Sequence, residues 1–249
     1  MIEPQHDSSK SNGHQRFVTT HWSVVLKAGW SDSTQGRAAL ETVCRTYWYP
    51  LYAFVRRLGH SPPDAEDLVQ AFFERCLEKR YLTAADQARG RFRSFLLLAL
   101  KRFLANEWDK ARSRKRGGGQ IPLALDALSP EERYAQEPAN HCTPDKLFER
   151  RWALALLENV LARLGSEQAA SGRLAVFQEL KGSLAAGGCS ATYAEIGMRL
   201  GMSEGAVKVA IHRLRQRYRE LLEDEIAQTV SSQEEIVEER RYLLAVLGQ

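Results

Sequence analysis

Apolar residues recur at steps of three and four through Leu40, Val43, Cys44, Tyr47, Leu51, Phe54 and Val55, which marks one stripe of a long helix over residues 38–58. Pro50 lies inside that stripe and predicts a kink or two shorter helices, because proline lacks the amide donor a helix interior needs. After a break at 59–63, a helix is expected over 64–79, with Ser61 as its cap, prolines at its entrance and acids in its first turn. Residues 91–112 form a third long helix whose apolar positions cover more than half its circumference, as in the centre of a bundle. Phe92 and Trp108 are read as core there, and Ser94, Lys101, Arg102, Ala105, Asp109 and Arg112 line the remaining stripe. Further helices are expected at 21–28, 145–164, 167–180 and 233–247, and no stretch has the alternation of a strand. The chain is therefore all-α: two helical domains joined by a flexible linker, with a C-terminal helical extension.

Residues 192–218, TYAEIGMRLGMSEGAVKVAIHRLRQRY, predict two crossing helices with a tight turn between them. Ile196, Gly197, Leu200, Val207, Ile211 and Leu214 fall where the helices must touch. Gly201 suits a left-handed backbone at the bend, Ser203 is placed to cap the second helix, and Glu204 favours its positive end. The outward face of that second helix carries Lys208, His212, Arg213, Arg215 and Arg217, cations suited to phosphates and base edges in a major groove. The pattern is a helix-turn-helix of the DNA-reading kind.

The net charge of +4 says little, but its distribution is uneven. Residues 89–116 hold ten Lys or Arg against two acids, whereas 220–239 hold eight acids and no base. Such segregation fits a protein with a polyanionic partner and a separate acidic surface. Cys44, Cys76, Cys142 and Cys189 are scattered without ligand spacing, and His141 beside Cys142 makes no metal site, so no metal and no cofactor are expected. The polar N-terminus and the absence of a long apolar run predict a cytoplasmic protein with no membrane insertion. The glycines at 117–119 precede no Gly-Lys-Ser/Thr, so they read as a hinge; no nucleophile, zincin or paired-carboxylate constellation appears, and no enzymatic activity is expected.

DAEDLVQAFFERCLEK at 64–79, followed by RGRFRSFLLLALKRFLANEWDKARSRKR at 89–116, resembles region 2 of bacterial RNA polymerase sigma factors. SATYAEIGMRLGMSEGAVKVAIHRLRQRYRELL at 190–222 resembles their region 4, and regions 2 and 4 without a middle domain are the layout of the extracytoplasmic-function (ECF) group of the sigma-70 family. The polar, aperiodic residues 1–16 are expected to be a disordered tail, and 223–249 are an extension outside the usual two-domain layout. The resemblance implies a region 2-like domain at 17–112, a linker at 113–144 and a region 4-like domain at 145–222. It implies core RNA polymerase (the β′ coiled coil, and β) and promoter DNA as partners, and allows an anti-sigma factor or another regulator. Asp64, Glu66, Asp67, Gln70 and Glu74 would meet the polymerase. Arg89, Arg91, Arg93, Lys101, Arg102 and Arg112 would serve the −10 region, with Tyr81 as a possible stacking group for an unpaired base. Ser203, Lys208, Val209, His212, Arg213, Arg215 and Arg217 would serve the −35 element. Gly197 stands where the family usually has alanine. The acidic linker resembles the segment that threads the polymerase channel, with a solvated tether as the alternative. The chain is thus expected to direct promoter recognition and melting; the competing expectation is a helix-turn-helix regulator with a helical sensing or dimerisation domain. The last helix must cover its apolar stripe on its own domain, on a partner or on a second copy, and its acids could compete with DNA for the basic face.

Overall fold

The computed structural model describes residues 34–77, 91–113, 129–137, 142–184, 191–230 and 232–248. All regular elements among them are helical. In chain order they are α1 (Thr34–Arg57), α2 (Pro62–Leu77), α3 (Phe92–Ser113), α4 (Pro130–Ala135), α5 (Pro144–Ala170), α6 (Leu174–Leu180) with a 3-10 turn (Lys181–Leu184), α7 (Tyr193–Leu200), α8 (Glu204–Ala227) and α9 (Gln233–Leu247). The tail 1–16, the helix expected at 21–28, Tyr81, Arg89, the glycines at 117–119 and His141 lie outside the described residues.

Helix α1 passes through Pro50 as one element. An interior proline costs about 3 kcal/mol. Here Tyr49, Leu51, Tyr52, Ala53, Phe54 and Val55 are all buried, and enclosing so many apolar side chains outweighs one lost hydrogen bond. The helix is covered chiefly by α5, whose Trp152 is wholly inaccessible to solvent, and on another side by α2. Asn159 Nδ2 donates to Thr46 Oγ1 at 2.8 Å across the α1–α5 seam. The segments assigned to separate units therefore pack on one another, and their buried residues form a single hydrophobic cluster.

Two expectations about helix ends and faces are corrected. The break placed between 164 and 167 does not occur: α5 runs on to Ala170 and ends at Ser171, before Gly172 at φ +70°. Gly165 is there for close packing, since a Cβ on it would stand 3.0 Å from Phe177 Cε1 of α6. Trp108, read as core, is 73% exposed. Helix α2 covers the Phe103 side of α3, where Phe72 and Phe103 rings lie 5.7 Å apart, and the apolar arc is wider than its neighbours can cover. Phe92, by contrast, is buried as expected.

Part of the stretch read as a linker is an ordered helix. Ser129 and Glu132 form a reciprocal capping box on α4. Glu131 then accepts from Tyr52 Oη (2.7 Å) and from both Nε (2.9 Å) and Nη2 (2.8 Å) of Arg56, while Tyr49 Oη donates to Glu137 at 2.8 Å. These two acids are thus bonded to α1 in this arrangement. The Arg56 fork, seconded by Tyr52, holds the Glu131 carboxyl below the usual glutamate range.

Trp152→Ala is expected to lower unfolding free energy by about 3–5 kcal/mol, read by urea denaturation, because the cavity opens between α1 and α5. A carboxylate whose folded pKa is depressed stabilises above its unfolded value and stops doing so as pH falls through the folded one. Acidification below the ordinary glutamate range should therefore lower the melting temperature of the native chain more than that of Glu131→Gln; equal acid sensitivity would show that the α4 clamp contributes nothing.

Candidate nucleic-acid interface

The helix-turn-helix is set by three local devices. Thr192 and Glu195 form a capping box on α7, with Glu195 N–H donating to Thr192 Oγ1 at 3.3 Å and Thr192 N–H to Glu195 Oε2 at 2.7 Å. Gly201 ends α7 in the left-handed region at φ +64°, and Met202 N–H donates back to the Gly197 carbonyl at 2.9 Å. Ser203 Oγ then accepts from Ala206 N–H at 3.2 Å and starts α8. The turn folds so closely that a Cβ on Gly197 would meet the Met202 carbonyl oxygen at 2.6 Å. Ile196, Val207, Ile211 and Leu214 are buried between the two helices.

The polar residues of α8 fall into two groups. Lys208, Val209, His212 and Arg213 are exposed on its first half, Val209 at 50%. Lys208 Nζ lies 2.8 Å from Glu204 and over the Tyr193 ring at 5.7 Å, and the Glu204 carboxylate raises its pKa. Arg215 and Arg217, though solvent-accessible, are bonded to other elements of the fold. Arg215 donates twice to the Ser183 carbonyl (3.1 and 2.7 Å), which holds the 3-10 turn after α6. Arg217 forks on Glu167 of α5 (2.8 and 2.9 Å) and also reaches Glu220 at 2.9 Å, and these carboxylates raise its pKa.

The −10 set is scattered. Arg102 is exposed on α3, and Lys101 ion-pairs with Asp145 beside the Phe54 ring. Arg112 belongs to α3, but its side chain lies outside the description, as does all of Arg89. Arg91 pairs with Glu238 (3.2 Å) and Glu239 (2.8 Å) of α9. Arg93 is buried: Glu239 accepts from its Nε at 2.6 Å and its Nη2 at 3.2 Å, and Tyr242 and Trp152 rings lie 4.1 and 4.9 Å from its guanidinium carbon. Burial works against that charge, yet the Glu239 hydrogen bonds and charge outweigh it and keep the guanidinium protonated. In this arrangement neither Arg91 nor Arg93 is open to a phosphate.

The α2 set is gathered on one surface. Asp67 and Glu74 are exposed; Gln70 Nε2 donates to Glu74 at 3.1 Å. Asp64 accepts from the Ser61 hydroxyl at 2.5 Å. Burial, then the neighbouring Asp67 charge, raises the Glu66 carboxyl above its ordinary value. Asp64 and Asp67 border an open groove of about 770 Å³ whose apolar wall is Leu58, Leu68, Leu104 and the exposed Trp108.

No protein-family model matches the chain, and no solved structure matches it. The ECF RNA polymerase sigma factor SigE of Mycolicibacterium smegmatis (strain ATCC 700084 / mc(2)155) is 28% identical to it over 205 residues, covering 81% of this chain and 69% of the relative. The chain is a sequence homologue of an ECF sigma factor.

In this sigma-factor homologue the structure gathers the α8 strip and the α2 acids into two surfaces and does not gather the −10 cations into one. Sequence patterning missed Tyr193 beside Lys208, and Met198, 78% exposed on α7. The Glu204–Lys208 spacing of four was a readable signal; the approach of Tyr193 depends on the α7–α8 crossing. No helix among the described residues is long and apolar enough to cross a membrane.

Arg217→Ala and Arg215→Ala should each destabilise the chain by about 1 kcal/mol, a melting shift of roughly 2–4 °C. Lys208→Ala and Arg213→Ala should stay within about 0.5 kcal/mol of the native value. Equal shifts in all four, measured by calorimetry, would contradict the division between fold-bracing and outward cations.

Proposed function

We propose that this chain is the promoter-specificity subunit of RNA polymerase, working in the cytoplasm and joining core enzyme to a −35 element and an adjacent melted −10 element. Homology to an ECF RNA polymerase sigma factor supports the general role. The observation that carries the finer reading is the outward strip Lys208–Val209–His212–Arg213 on a capped, closely folded helix-turn-helix. Lys208 and Arg213 are long cations able to donate to guanine O6 and N7 in the major groove. Val209 offers an apolar contact for a thymine methyl, and the Ser203 hydroxyl, still holding a donor after capping α8, suits a phosphate.

The α2 surface suits a helical partner with cations beside apolar side chains: Asp67 and Glu74 offer charge, and the Leu58–Trp108 groove offers apolar area. This face is assigned to the β′ coiled coil. On α3, Lys101 and Arg102 lie on the stripe that would follow the displaced strand, and Arg89 and Arg112 are assigned to the same strand from the sequence. The catalytic chemistry of transcription belongs to the core enzyme, and this chain supplies address and strand separation.

Run-off transcription with purified core polymerase tests the proposal, and promoter-dependent transcripts should require this chain. Arg213→Ala should reduce them about tenfold while core binding stays normal, the loss of one base contact worth roughly 1–3 kcal/mol. Asp67→Ala should instead weaken association with core. Transcripts that ignore the presence of the chain would overturn the proposal.

A further inference from the structure

The N-terminus of α3 is closed by the C-terminal extension. Phe92 N–H, one of the amides a helix start leaves unbonded, donates to the carbonyl of Thr229 at 3.0 Å. Thr229 and Val230 are themselves buried. From Ser232 a capping box launches α9, which crosses α5 and α8 and brings Glu238, Glu239 and Tyr242 against Arg91 and Arg93. The Glu239 carboxylate spans the two guanidinium groups, at 2.6 Å from Arg93 Nε and 2.8 Å from Arg91 Nε. A carboxylate forked on guanidinium uses the donors a phosphate oxygen pair would use.

The same helix also bridges the two halves of the chain. Its seat is on α5 and α8, while its acids hold the start of α3. Its inner face is anchored by buried Leu243 and by Ile236, Tyr242, Val246 and Leu247 packed on the core, while Val237 and Leu244 are 40% and 62% exposed. Release of the helix therefore uncovers an apolar stripe as well as the buried Arg93, and a polyanion that takes over the guanidinium offsets part of that cost.

We propose that α9 is an intramolecular clasp: its Glu238–Glu239 pair occupies the guanidinium groups of Arg91 and Arg93 in place of nucleic-acid phosphates, and binding of a single strand there requires the clasp to open. The proposal rests on the assignment of Arg91 and Arg93 to the −10 strand. It explains why two cations at the start of α3 are turned inward onto the last two acids of the 220–239 run. A protein whose competent form is a minor population binds more weakly by that fraction, so loosening the clasp tightens binding.

The free full-length chain is titrated against a fluorescein-labelled single-stranded DNA, with affinity read by anisotropy. Glu238→Gln, at a largely exposed position, should tighten binding about twofold, and Glu238→Gln with Glu239→Gln on the order of tenfold. Adding Arg91→Ala to the double variant should remove most of the gain. In the native chain, saturating DNA should raise hydrogen exchange at the α9 amides, which decides the matter if the double variant does not fold. Affinity unchanged by either substitution, or α9 protection unchanged by bound DNA, overturns the clasp. Run-off transcription on the same proteins separates the two proposals: tighter strand binding without core-dependent transcripts keeps the clasp and rejects the promoter-specificity role, and transcripts without tightening do the reverse.

Discussion

A guanidinium removed from water is the constraint around which this fold is arranged. Arg93 is enclosed by Glu239, Glu149, Tyr242 and Trp152, so helices α3, α5 and α9 must come together at one point. An unpaired charge at that depth would be strongly unfavourable, and a paired one is tolerated only when its donors are filled. The site therefore specifies register more than it supplies stability. It ties the end of the chain to the start of α3, and the Trp152 that floors it also fills the seam between α1 and α5.

Local chemistry was readable where the determinant lies within a few residues. Thr192, Gly201 and Ser203 mark the helix-turn-helix with caps and a left-handed turn, and the last helix runs over 233–247 as its periodicity predicts. Elements that depend on distant neighbours were not readable. Pro50 fails to break α1 because α5 covers it, Gly165 fails to break α5 because Phe177 needs the space, and Trp108 stands at an open groove that no helix among the described residues fills. Each case turns on what lies opposite, which spacing along a chain does not encode.

The same limit applies to charge. Four cations and His212 were assigned to DNA on α8 from helical phase alone, and phase places all of them away from the α7 contact. Phase does not report that Glu167 and the Ser183 carbonyl wait for Arg217 and Arg215. Nor does the basic run at the start of α3 disclose that its neutralising acids lie almost 150 residues further on. Segregated charge along a sequence can mean a polyanionic partner or an internal one, and Arg91 and Arg93 have internal partners.

The near-contact at Gly197 carries a consequence for how such a protein can diversify. With the Met202 carbonyl pressed against its α-carbon, the angle between α7 and α8 is set by backbone and by residues that face inward. Val209, His212 and Arg213 lie on the outer side of α8, and Lys208 touches α7 only at the Tyr193 ring. Mutations at these four positions change the chemistry of the outer strip while the frame that presents it stays fixed. Duplicated copies of the gene would thus diverge on this face by a handful of surface changes, with no intermediate that has to refold.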